Sequence, residues 1–198
     1  MQGKFIVFEG IDKSGKHTQS RMLFEYLRRR GERVMYTEEP TADNPAGRAI
    51  KDWLAGKFEL KSGEAITLLY TADRYEHLKQ TILPSLEKGM TVISDRYFYS
   101  TIAYESAIFN VDPKWIRELH EKARRPDVVI FIDIAPEISL KRRRARPDDR
   151  LEKVELLTKV REAYKKMMDE ERFFTVDGNR TKEDVFADVK KIIDRILA

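Results

Sequence analysis

The sequence predicts an α/β fold of three layers, in which a doubly wound, five-stranded parallel sheet lies between helices on both faces. Apolar runs of strand length alternate along the chain with longer segments of helical periodicity, the order typical of such folds. These runs are almost continuously apolar, which indicates a sheet buried on both faces rather than one with a solvated face. A chain of 198 residues has the usual size of one domain, so we expect residues 1–198 to form a single domain.

The predicted strands are short apolar runs, and each is separated from the next by enough chain for a crossover helix. They span residues 4–9, 33–38, 91–95, 128–134 and 173–177. In such sheets, ligands bind outside the carboxyl ends of the strands. We therefore expect the functional residues directly after these runs.

The segments between the strands carry apolar residues at helical spacing. They predict helices over residues 16–30, 46–54, 63–87, 113–122, 136–144, 154–170 and 181–197. Gly31 and Gly89 follow two of these helices in the position where a left-handed glycine commonly ends a helix. The helix over 63–87 has an apolar stripe that fits either the core or a contact between subunits. The stripe consists of Ile66, Leu69, Leu78, Ile82 and Leu86.

The composition excludes several classes of chemistry. Charged residues make up 36% of the chain, and no apolar run approaches the roughly 20 residues that span a bilayer. We therefore expect a cytoplasmic protein without a membrane partner. Cysteine is absent, which excludes disulfides, thiolate metal sites and a cysteine nucleophile. The net charge of +4 suits anionic ligands; it is too small to predict nucleic-acid binding, and phosphate compounds fit equally well.

A glycine-rich loop of the pattern Gly-x4-Gly-Lys lies between the first predicted strand and the first predicted helix. Backbone N–H groups of such a loop and the N-terminus of the helix bind phosphate oxygens, and Lys16 supplies a mobile positive charge. The alternative is an ordinary glycine turn with a surface lysine. The predicted phosphate-binding residues are Gly10, Ile11, Asp12, Lys13, Ser14, Gly15, Lys16, His17 and Thr18.

His17 occupies the position where this kind of loop usually has Ser or Thr, whose hydroxyl group binds Mg²⁺. A histidine nitrogen is a poor ligand for this oxygen-seeking ion. Either Mg²⁺ is held through water and other oxygens, or the loop binds phosphate with a changed metal geometry. The sequence leaves both possibilities open.

A second polar cluster, Asp95-Arg96-Tyr97, stands where the third predicted strand ends. A carboxylate there can hold Mg²⁺ or orient a nucleophilic oxygen, and an arginine can clamp a phosphate with two parallel hydrogen bonds. The alternative is a helix N-cap with a surface ion pair. A phosphate loop by itself leaves kinases, GTPases, motor-type ATPases and binding modules open, so this second cluster must discriminate among them.

At this cluster the chain resembles the thymidylate kinases. The family signature Asp-Arg-Tyr-x-x-Ser-x-x-Ala-Tyr is matched by Asp95, Arg96, Tyr97, Ser100, Ala103 and Tyr104. Further landmarks of the family agree in order at residues 8–12, 39–40, 69–74, 126–127, 133, 149–152 and 160–164. GTPases fit less well because the sequence has no Asn-Lys-x-Asp motif, and motor ATPases fit less well because the third predicted strand ends in the single carboxylate of Asp95.

The resemblance implies a P-loop nucleoside monophosphate kinase. Such an enzyme moves the γ-phosphoryl group of ATP to thymidine 5′-monophosphate (dTMP), with Mg²⁺ as cofactor, and gives the diphosphate for dTTP synthesis. The resemblance also implies a homodimer. The alternatives are a kinase of broader acceptor range, acting on dUMP or other nucleoside monophosphates, and a nucleotide-dependent binding protein. We expect no nucleic-acid partner.

On the donor side, the resemblance implies catalytic roles for several residues of the loop. Lys16 would hold the β- and γ-phosphates, Thr18 a nearer phosphate, and Lys13 would also contact the donor. Asp95 would orient water on Mg²⁺. Asp12 would approach either the sugar 3′-hydroxyl group or the metal.

The basic segment 141–150 resembles the lid of this family, which closes over the triphosphate and excludes water. The alternative is a solvated basic face. Within the lid, Arg142 would lie against adenine. Arg146 or Arg150 would then serve the phosphates.

On the acceptor side, Tyr70 and Arg74 lie one helical turn apart, so they could stack on a base and hydrogen-bond to it together. By resemblance they read thymine, with Thr101 directed toward the pyrimidine N3. Tyr104 stands where an aromatic ring blocks a ribose 2′-hydroxyl group, and Arg96 would clamp the acceptor phosphate. Without the resemblance, Tyr70 and Tyr104 would be interpreted as core aromatics.

One departure from the family concerns the acceptor phosphate. Many relatives carry an arginine beside the Glu-Pro pair that ends the second strand, whereas this chain has Glu38 there. The acceptor phosphate would then rely on Arg74, Arg96 and, as a hypothesis, Arg48, or the acceptor range would be broader. The signature serine, Ser100, completes the predicted substrate-binding set.

Overall fold

Within residues 3–142 and 153–197, which the computed structural model describes, five parallel strands form a central sheet. The strands are β1 (Phe5–Glu9), β2 (Val34–Glu38), β3 (Thr91–Asp95), β4 (Val128–Asp133) and β5 (Phe174–Asp177). Their order across the sheet is β2-β3-β1-β4-β5. The predicted parallel sheet is confirmed, and each predicted strand boundary lies within one residue of the observed one.

Helices cover both faces of this sheet. They are α1 (Lys16–Arg29), α2 (Pro45–Leu54), α3 (Gly63–His77), α4 (Leu83–Glu87), α5 (Phe98–Phe109), α6 (Pro113–Leu119), α7 (Pro136–Lys141), α8 (Val154–Met168) and α9 (Lys182–Leu197). The predicted helix over 63–87 is not regular, because a π-helical turn over Leu78–Ile82 separates α3 from α4. Pro84 in the first turn of α4 has no N–H to continue the α-helical bonding pattern. Gly31 and Gly89 have φ of +81° and +72°, as predicted for glycines that end helices.

Helix α5 has no counterpart among the predicted helices. Every residue from Phe98 to Glu105 is buried, so this helix lacks the one-sided apolar stripe by which a surface helix is predicted. It packs against α8 and ends at Asn110, whose φ of +56° is left-handed. In the part of the chain that the structure describes, neither α5 nor any other helix is long and apolar enough to cross a membrane.

The two faces of the sheet bury separate apolar clusters. Along β1, Phe5 and Val7 pack on one face with side chains of α5 and α8. Ile6 and Phe8 pack on the other face with side chains of α1 and α9. Because successive residues of a strand point to opposite faces, this alternation produces the predicted three layers.

The apolar stripe that begins in α3 belongs to the core. Ile66, Leu78, Ile82 and Leu86 are each at most 3% exposed. Of the two predicted interpretations, burial therefore favours the core for these four residues. Leu68, also on α3, is 48% exposed.

Candidate active site

The loop after β1 has the backbone conformation of an anion-binding site. Gly10 has φ of +149°, and a Cβ atom there would lie 2.8 Å from the carbonyl oxygen of Ile132. Gly15 has φ of +100° and directly precedes α1. Glycine adopts such conformations without the strain that a side chain would bring. The first N–H groups of a helix have no partner within the helix, so those of α1 can bind phosphate oxygens at this loop.

A positively charged cavity lies in front of this loop. Its lining consists of Lys13, Ser14, Gly15, Lys16, His17, Thr18, Gln19, Arg142, Gly178, Arg180, Lys182 and Val185. Seven of the predicted donor-binding residues are in this set, and five of its side chains are Lys or Arg. We call it the donor cavity, because its charge suits a polyphosphate.

Lys16 lies at the inner end of the donor cavity and is only 7% exposed. Its Nζ donates a hydrogen bond to the carbonyl oxygen of Ile11 at 3.3 Å and lies 3.9 Å from Asp12 Oδ1. Burial lowers the pKa of Lys16, and the charge of Arg96 lowers it further, while Asp12 acts in the opposite direction. An incoming phosphate would add the anionic partner that this ammonium group needs.

Arg142 holds the outer side of the donor cavity. Its Nη1 donates to the carbonyl oxygen of Ser14 at 3.2 Å, and its Nη2 donates to that of Gly178 at 2.7 Å. The guanidinium plane is thereby fixed across the cavity. The other predicted lid arginines, Arg146 and Arg150, lie outside the described residues.

A second cavity opens beside the first at the carboxyl ends of β1 and β3, and we call it the acceptor cavity. It is lined by Asp12, Glu39, Pro40, Leu54, Tyr70, Arg74, Arg96, Tyr97, Ser100, Thr101, Tyr104 and Glu105. This set contains every predicted substrate-binding residue except Arg48. Arg48 is exposed and donates to the carbonyl oxygen of Asp43 at 2.9 Å, so its role stays a prediction.

Arg96 is fixed in the acceptor cavity by four neighbours. Its φ of +76° is in the left-handed region, an uncommon conformation for a residue with a side chain and one found at functional sites. Nη1 donates to Ser100 Oγ at 2.9 Å and to the carbonyl oxygen of Gly10 at 3.5 Å. Nη2 pairs with the carboxylate of Asp12 and lies 3.4 Å from the Tyr104 hydroxyl group. The guanidinium therefore reaches from the phosphate loop into the acceptor cavity.

Asp12 and Tyr104 close the side of the acceptor cavity next to the loop. The Tyr104 hydroxyl donates to Asp12 Oδ2 at 2.8 Å and accepts from the Asp12 backbone N–H at 2.9 Å. Burial by itself would raise the pKa of Asp12, but the charges of Arg96 and Lys16 and the Tyr104 hydrogen bond lower it below its usual value. Asp12 is therefore ionised at neutral pH.

A buried glutamate, Glu9, anchors α5 to β1. Its Oε1 accepts from the backbone N–H groups of Tyr97 and Ser100 at 2.9 and 3.2 Å. Its Oε2 accepts from Ser100 Oγ at 2.6 Å and from the Tyr164 hydroxyl at 2.7 Å. Burial raises the pKa of Glu9, while Ser100 and Arg96 lower it. No role for Glu9 was predicted from the sequence, although the residue is part of the landmark 8–12 that opens the loop.

Arg74 is held by three side chains at the inner end of the acceptor cavity. Its Nε donates to Glu39 Oε2 at 2.8 Å, and its Nη2 forms an ion pair with the same oxygen at 2.7 Å. Its Nη1 donates to Thr101 Oγ1 at 3.1 Å and to His120 Nε2 at 2.7 Å. Burial and then the Arg74 charge lower the pKa of His120 to about 3, so the imidazole is neutral and can accept this bond. Tyr70 lines the same cavity, as predicted from its helical spacing to Arg74.

Glu105 is a cavity residue that the sequence analysis does not predict. It is 2% exposed, and its Oε2 has no hydrogen-bond partner among the residues that the structure describes. Burial raises the pKa of this carboxyl group to about 8, so it is largely neutral at pH 7. A signal was available, because Glu105 is the only charged residue in the segment 98–109 of the sequence.

The two departures noted in the sequence, His17 and Glu38, meet at one carboxylate. His17 Nδ1 lies 3.1 Å from Asp95 Oδ2 and 3.8 Å from Glu38 Oε2. The Asp95 hydrogen bond raises the pKa of His17, although partial burial opposes it. Burial by itself would raise the pKa of Asp95, but His17 and Lys16 lower it below its usual value. Glu38 therefore lies beside His17 at the start of α1 and is absent from the lining of the acceptor cavity.

The donor and acceptor cavities together provide what the transfer of a group between two anionic ligands needs. One cavity is lined with basic residues and a phosphate loop, and the other contains the fixed Arg96 and is lined by Tyr70 and Thr101. Asp12, Lys16 and Arg96 lie where the two cavities approach each other. Positive charge at this junction can stabilise charge that moves from one ligand to the other.

Comparisons with known proteins agree with this geometry. A family model described as "Thymidylate kinase" matches residues 8–189. A thymidylate kinase of Plasmodium falciparum is 36% identical over 98% of this chain and 91% of that protein. A probable thymidylate kinase of Pyrococcus abyssi is 39% identical over 100% of this chain and 98% of that protein. A thymidylate kinase of Carboxydothermus hydrogenoformans is 36% identical over 98% of each chain.

Proposed function

The chain belongs to the thymidylate kinase family and phosphorylates dTMP with ATP, and we propose how its residues divide this work between two cavities. One observation carries the residue-level proposal. The Arg96 guanidinium contacts the phosphate loop at Gly10 and the acceptor-cavity residues Asp12 and Ser100. A single fixed cation therefore lies between the space for the donor and the space for the acceptor.

On the donor side, Lys16 and the N–H groups of the loop would hold the β- and γ-phosphates of ATP. Lys13 and Thr18 would contact neighbouring phosphates. Arg142 would lie against adenine, which the planar guanidinium suits because it can stack on an aromatic ring. Its hydrogen bonds to the carbonyl groups of Ser14 and Gly178 support this role, since they hold the plane in place before the donor binds. The catalytic roles of Arg146 and Arg150 in the lid belong to the same proposal.

On the acceptor side, Tyr70 would stack on thymine and Arg74 would bind a base oxygen. An arginine has five N–H groups, and three of those of Arg74, on Nε and Nη1, donate to Glu39, Thr101 and His120. Nη2, which forms an ion pair with Glu39 at 2.7 Å, is the donor that we assign to the base. Thr101 Oγ1 accepts one bond from Arg74 and keeps a second lone pair for the N3–H of thymine.

The sugar and the phosphate of dTMP would lie nearer the loop. Tyr104 would fill the space that a ribose 2′-hydroxyl needs, and Arg96 would clamp the phosphate with the Ser100 hydroxyl beside it. Asp12, which is ionised and holds both Arg96 and Tyr104, would approach the sugar 3′-hydroxyl or the metal. The main effect of Asp12 would be to keep the Arg96 guanidinium in position against the phosphate.

Mg²⁺ would be held by Asp95, directly or through water, with Asp12 as a second carboxylate. The residues fit this ion, because Asp95 is 7% exposed and its Oδ1 has no hydrogen-bond partner in the described part of the chain. A buried carboxylate oxygen is thus available to a hard cation. When bound, Mg²⁺ neutralises charge on the donor phosphates.

Transfer by this site would depend on position and charge rather than on proton removal. The attacking oxygen of dTMP belongs to a phosphate whose second pKa is about 6, so it is already ionised at neutral pH. The protein must bring two anions together in line, and Lys16 and Arg96 would offset their repulsion. Closure of the lid over the donor would exclude water, which would otherwise hydrolyse ATP.

An acceptor panel tests the function. ADP release with ATP and Mg²⁺ would be measured against dTMP, dUMP, UMP, dCMP, dGMP and thymidine. We expect a strong preference for dTMP. Comparable turnover of several monophosphates would support the broader kinase, for which the loss of an arginine at Glu38 is the relevant observation. Absence of turnover with ATP still bound would support the nucleotide-dependent binding protein instead.

The assembly and location that the resemblance implies stay proposals. We propose that residues 1–198 act as one domain, as a homodimer and in the cytoplasm. Two apolar clusters on opposite faces of one sheet support the single domain. Light scattering at several protein concentrations tests the dimer, and a mass near the 23.3 kDa of one chain would contradict it.

A further inference from the structure

Three side chains from three separate elements come together at the carboxyl ends of β2 and β3. They are His17 in the first turn of α1, Glu38 at the end of β2 and Asp95 at the end of β3. The register of the sheet pairs Glu38 directly with Asp95. Each side chain offers one ligand atom, and these atoms all lie within 4.8 Å of one another. One metal ion can contact atoms at such spacing.

A second observation points to a missing ligand at this cluster. Asp95 Oδ2 faces His17 at 3.1 Å, whereas Asp95 Oδ1 is buried and lacks a hydrogen-bond partner within the described residues. A buried carboxylate oxygen without a partner is unfavourable unless a cation or water satisfies it. The other two side chains are open to solvent, with His17 60% and Glu38 48% exposed, so an ion can enter.

The donor set differs from that of an ordinary magnesium site. It combines one imidazole nitrogen with two carboxylates, and Mg²⁺ prefers oxygen ligands alone. Mn²⁺, Co²⁺ and Zn²⁺ accept nitrogen and oxygen ligands together, and affinity for a given site rises from Mn²⁺ to Co²⁺. We propose that His17, Glu38 and Asp95 form a binding site for a divalent transition-metal ion of this class in the nucleotide-free protein, and that this ion competes with Mg²⁺ for Asp95.

The local charges are compatible with this proposal. Two carboxylates favour a divalent cation, while Lys16 and Arg21 act against it. Arg21 lies over the ring of Tyr36, 3.8 Å from the ring centre, and the Tyr36 hydroxyl group lies 3.2 Å from His17 Nδ1, so an ion would have to displace this contact. The competing interpretation is that a protonated His17 simply forms ion pairs with the two acids, in which case no ion binds to the set.

The position of the cluster would allow a bound ion to contact the phosphate donor. His17 directly follows Lys16 and lines the donor cavity, so a bound ion would lie beside the phosphates of the donor. For this use the inference rests on the proposed function. The binding itself does not, because the three ligands are present in the free protein.

The test is a titration of the nucleotide-free full chain with Co²⁺, followed by the visible absorption of the bound ion. The protein must carry no polyhistidine tag. Three variants are compared, His17→Thr, Glu38→Gln and the control Glu121→Gln, which changes an exposed carboxylate after α6. We expect His17→Thr and Glu38→Gln each to weaken Co²⁺ binding at least tenfold, roughly the loss that outer-shell changes already cause at metal sites. The control should bind Co²⁺ as the parent does.

Competition with Mg²⁺ adds a second readout. The parent should hold Co²⁺ against a large excess of Mg²⁺, and His17→Thr, which restores the usual hydroxyl group, should not. Equal Co²⁺ affinity of the parent, His17→Thr and Glu38→Gln would overturn the proposal, as would failure of the parent to bind Co²⁺. Thermal melts of all variants exclude misfolding as the cause of lost binding. Co²⁺ binding without turnover of dTMP would leave the metal site standing and contradict the proposed function alone.

Discussion

Arg96 shows how a single residue can be prepared for its ligand before the ligand arrives. Its guanidinium already contacts Asp12, Ser100 and the carbonyl group of Gly10. A planar guanidinium can keep such bonds and still offer N–H groups to a phosphate, whereas an ammonium group is a point charge on a flexible stem. The rigidity of this residue, rather than its charge alone, is therefore what the site depends on.

Replacing Arg96 by Lys should keep the positive charge but lose the planar, fixed set of N–H groups. We expect kcat/KM for dTMP to fall by about 100-fold, which corresponds to about 2.7 kcal/mol of transition-state stabilisation. Steady-state kinetics with varied dTMP measures this change. The matched control is Arg117→Lys, because Arg117 pairs with Glu170 outside both cavities. Equal losses in the two variants would contradict a specific role for Arg96.

The protonation state of Glu105 is likewise set by its surroundings. Burial holds its pKa near 8 in the folded protein, against 4.5 for an ordinary glutamate. Between these pH values the folded chain keeps a proton that the unfolded chain has released. The free energy of unfolding therefore falls as pH rises through this window, by up to about 1.4 kcal/mol per pH unit.

The variant Glu105→Gln removes this titration and keeps a neutral side chain of the same shape. Its stability relative to the parent should rise between pH 5 and pH 8, and urea unfolding at several pH values measures the difference. Glu118→Gln serves as the control, since Glu118 is an exposed carboxylate on α6. A stability difference that is independent of pH would show that Glu105 does not carry the proton.

At the scale of elements, α5 positions the acceptor site. Ser100, Thr101 and Tyr104 lie on it, and Glu9 fastens its first turn to the end of β1. Tyr164 on α8 donates to the same carboxylate at 2.7 Å. One buried glutamate thus joins a strand and two helices, and any shift of α5 would move the three acceptor residues together.

The variant Tyr164→Phe tests this junction. It removes one hydroxyl from a fully buried network and should lower the free energy of unfolding by about 1–3 kcal/mol, the cost of leaving a buried polar group without its partner. Urea unfolding at pH 7 measures it. Tyr26→Phe is the control, because the Tyr26 hydroxyl binds Asp194 near the surface. That change should cost no more than about 0.5 kcal/mol. Equal losses would contradict the anchoring role of Glu9.

At the scale of the whole molecule, one edge of the sheet carries two separate ligand spaces. The donor cavity is bounded by α1 and the segment before α9, and the acceptor cavity by α3 and α5. Their linings share no residue. The two ligands should therefore bind side by side and stabilise the fold by separate contacts.

Thermal melts with each ligand and with both test this arrangement. A ligand at 100 times its Kd stabilises the folded state by about 2.7 kcal/mol, so dTMP and the β,γ-imido analogue of ATP should each raise Tm by several degrees. Together they should give the sum of the two stabilisation energies. Arg96→Lys should lose most of the dTMP shift and keep the shift with the ATP analogue. A combined shift no larger than the single ones would show that the ligands compete for one space.

Much of the fold follows from local sequence patterns. Continuous apolar runs predicted the parallel sheet, because burial on both faces leaves no polar alternation along a strand. The glycine loop was predictable for a similar reason, since Gly10 and Gly15 adopt backbone conformations that few other residues tolerate. Helix α5, in contrast, was not predicted, because its local sequence pattern carries no helical signal. A helix buried on all sides shows no stripe, so its periodicity disappears.

The sequence by itself determined which chemical groups the protein has and, through the Asp-Arg-Tyr signature, to which family it is similar. Only the tertiary structure decided which of those groups meet. His17, Glu38 and Asp95 are far apart in the chain and converge through strand order and register. Glu105 acquires a pKa near 8 only because the packing around α5 removes water from it. Periodicity and motifs describe neighbours along the chain, whereas contacts and burial depend on the packing of distant segments.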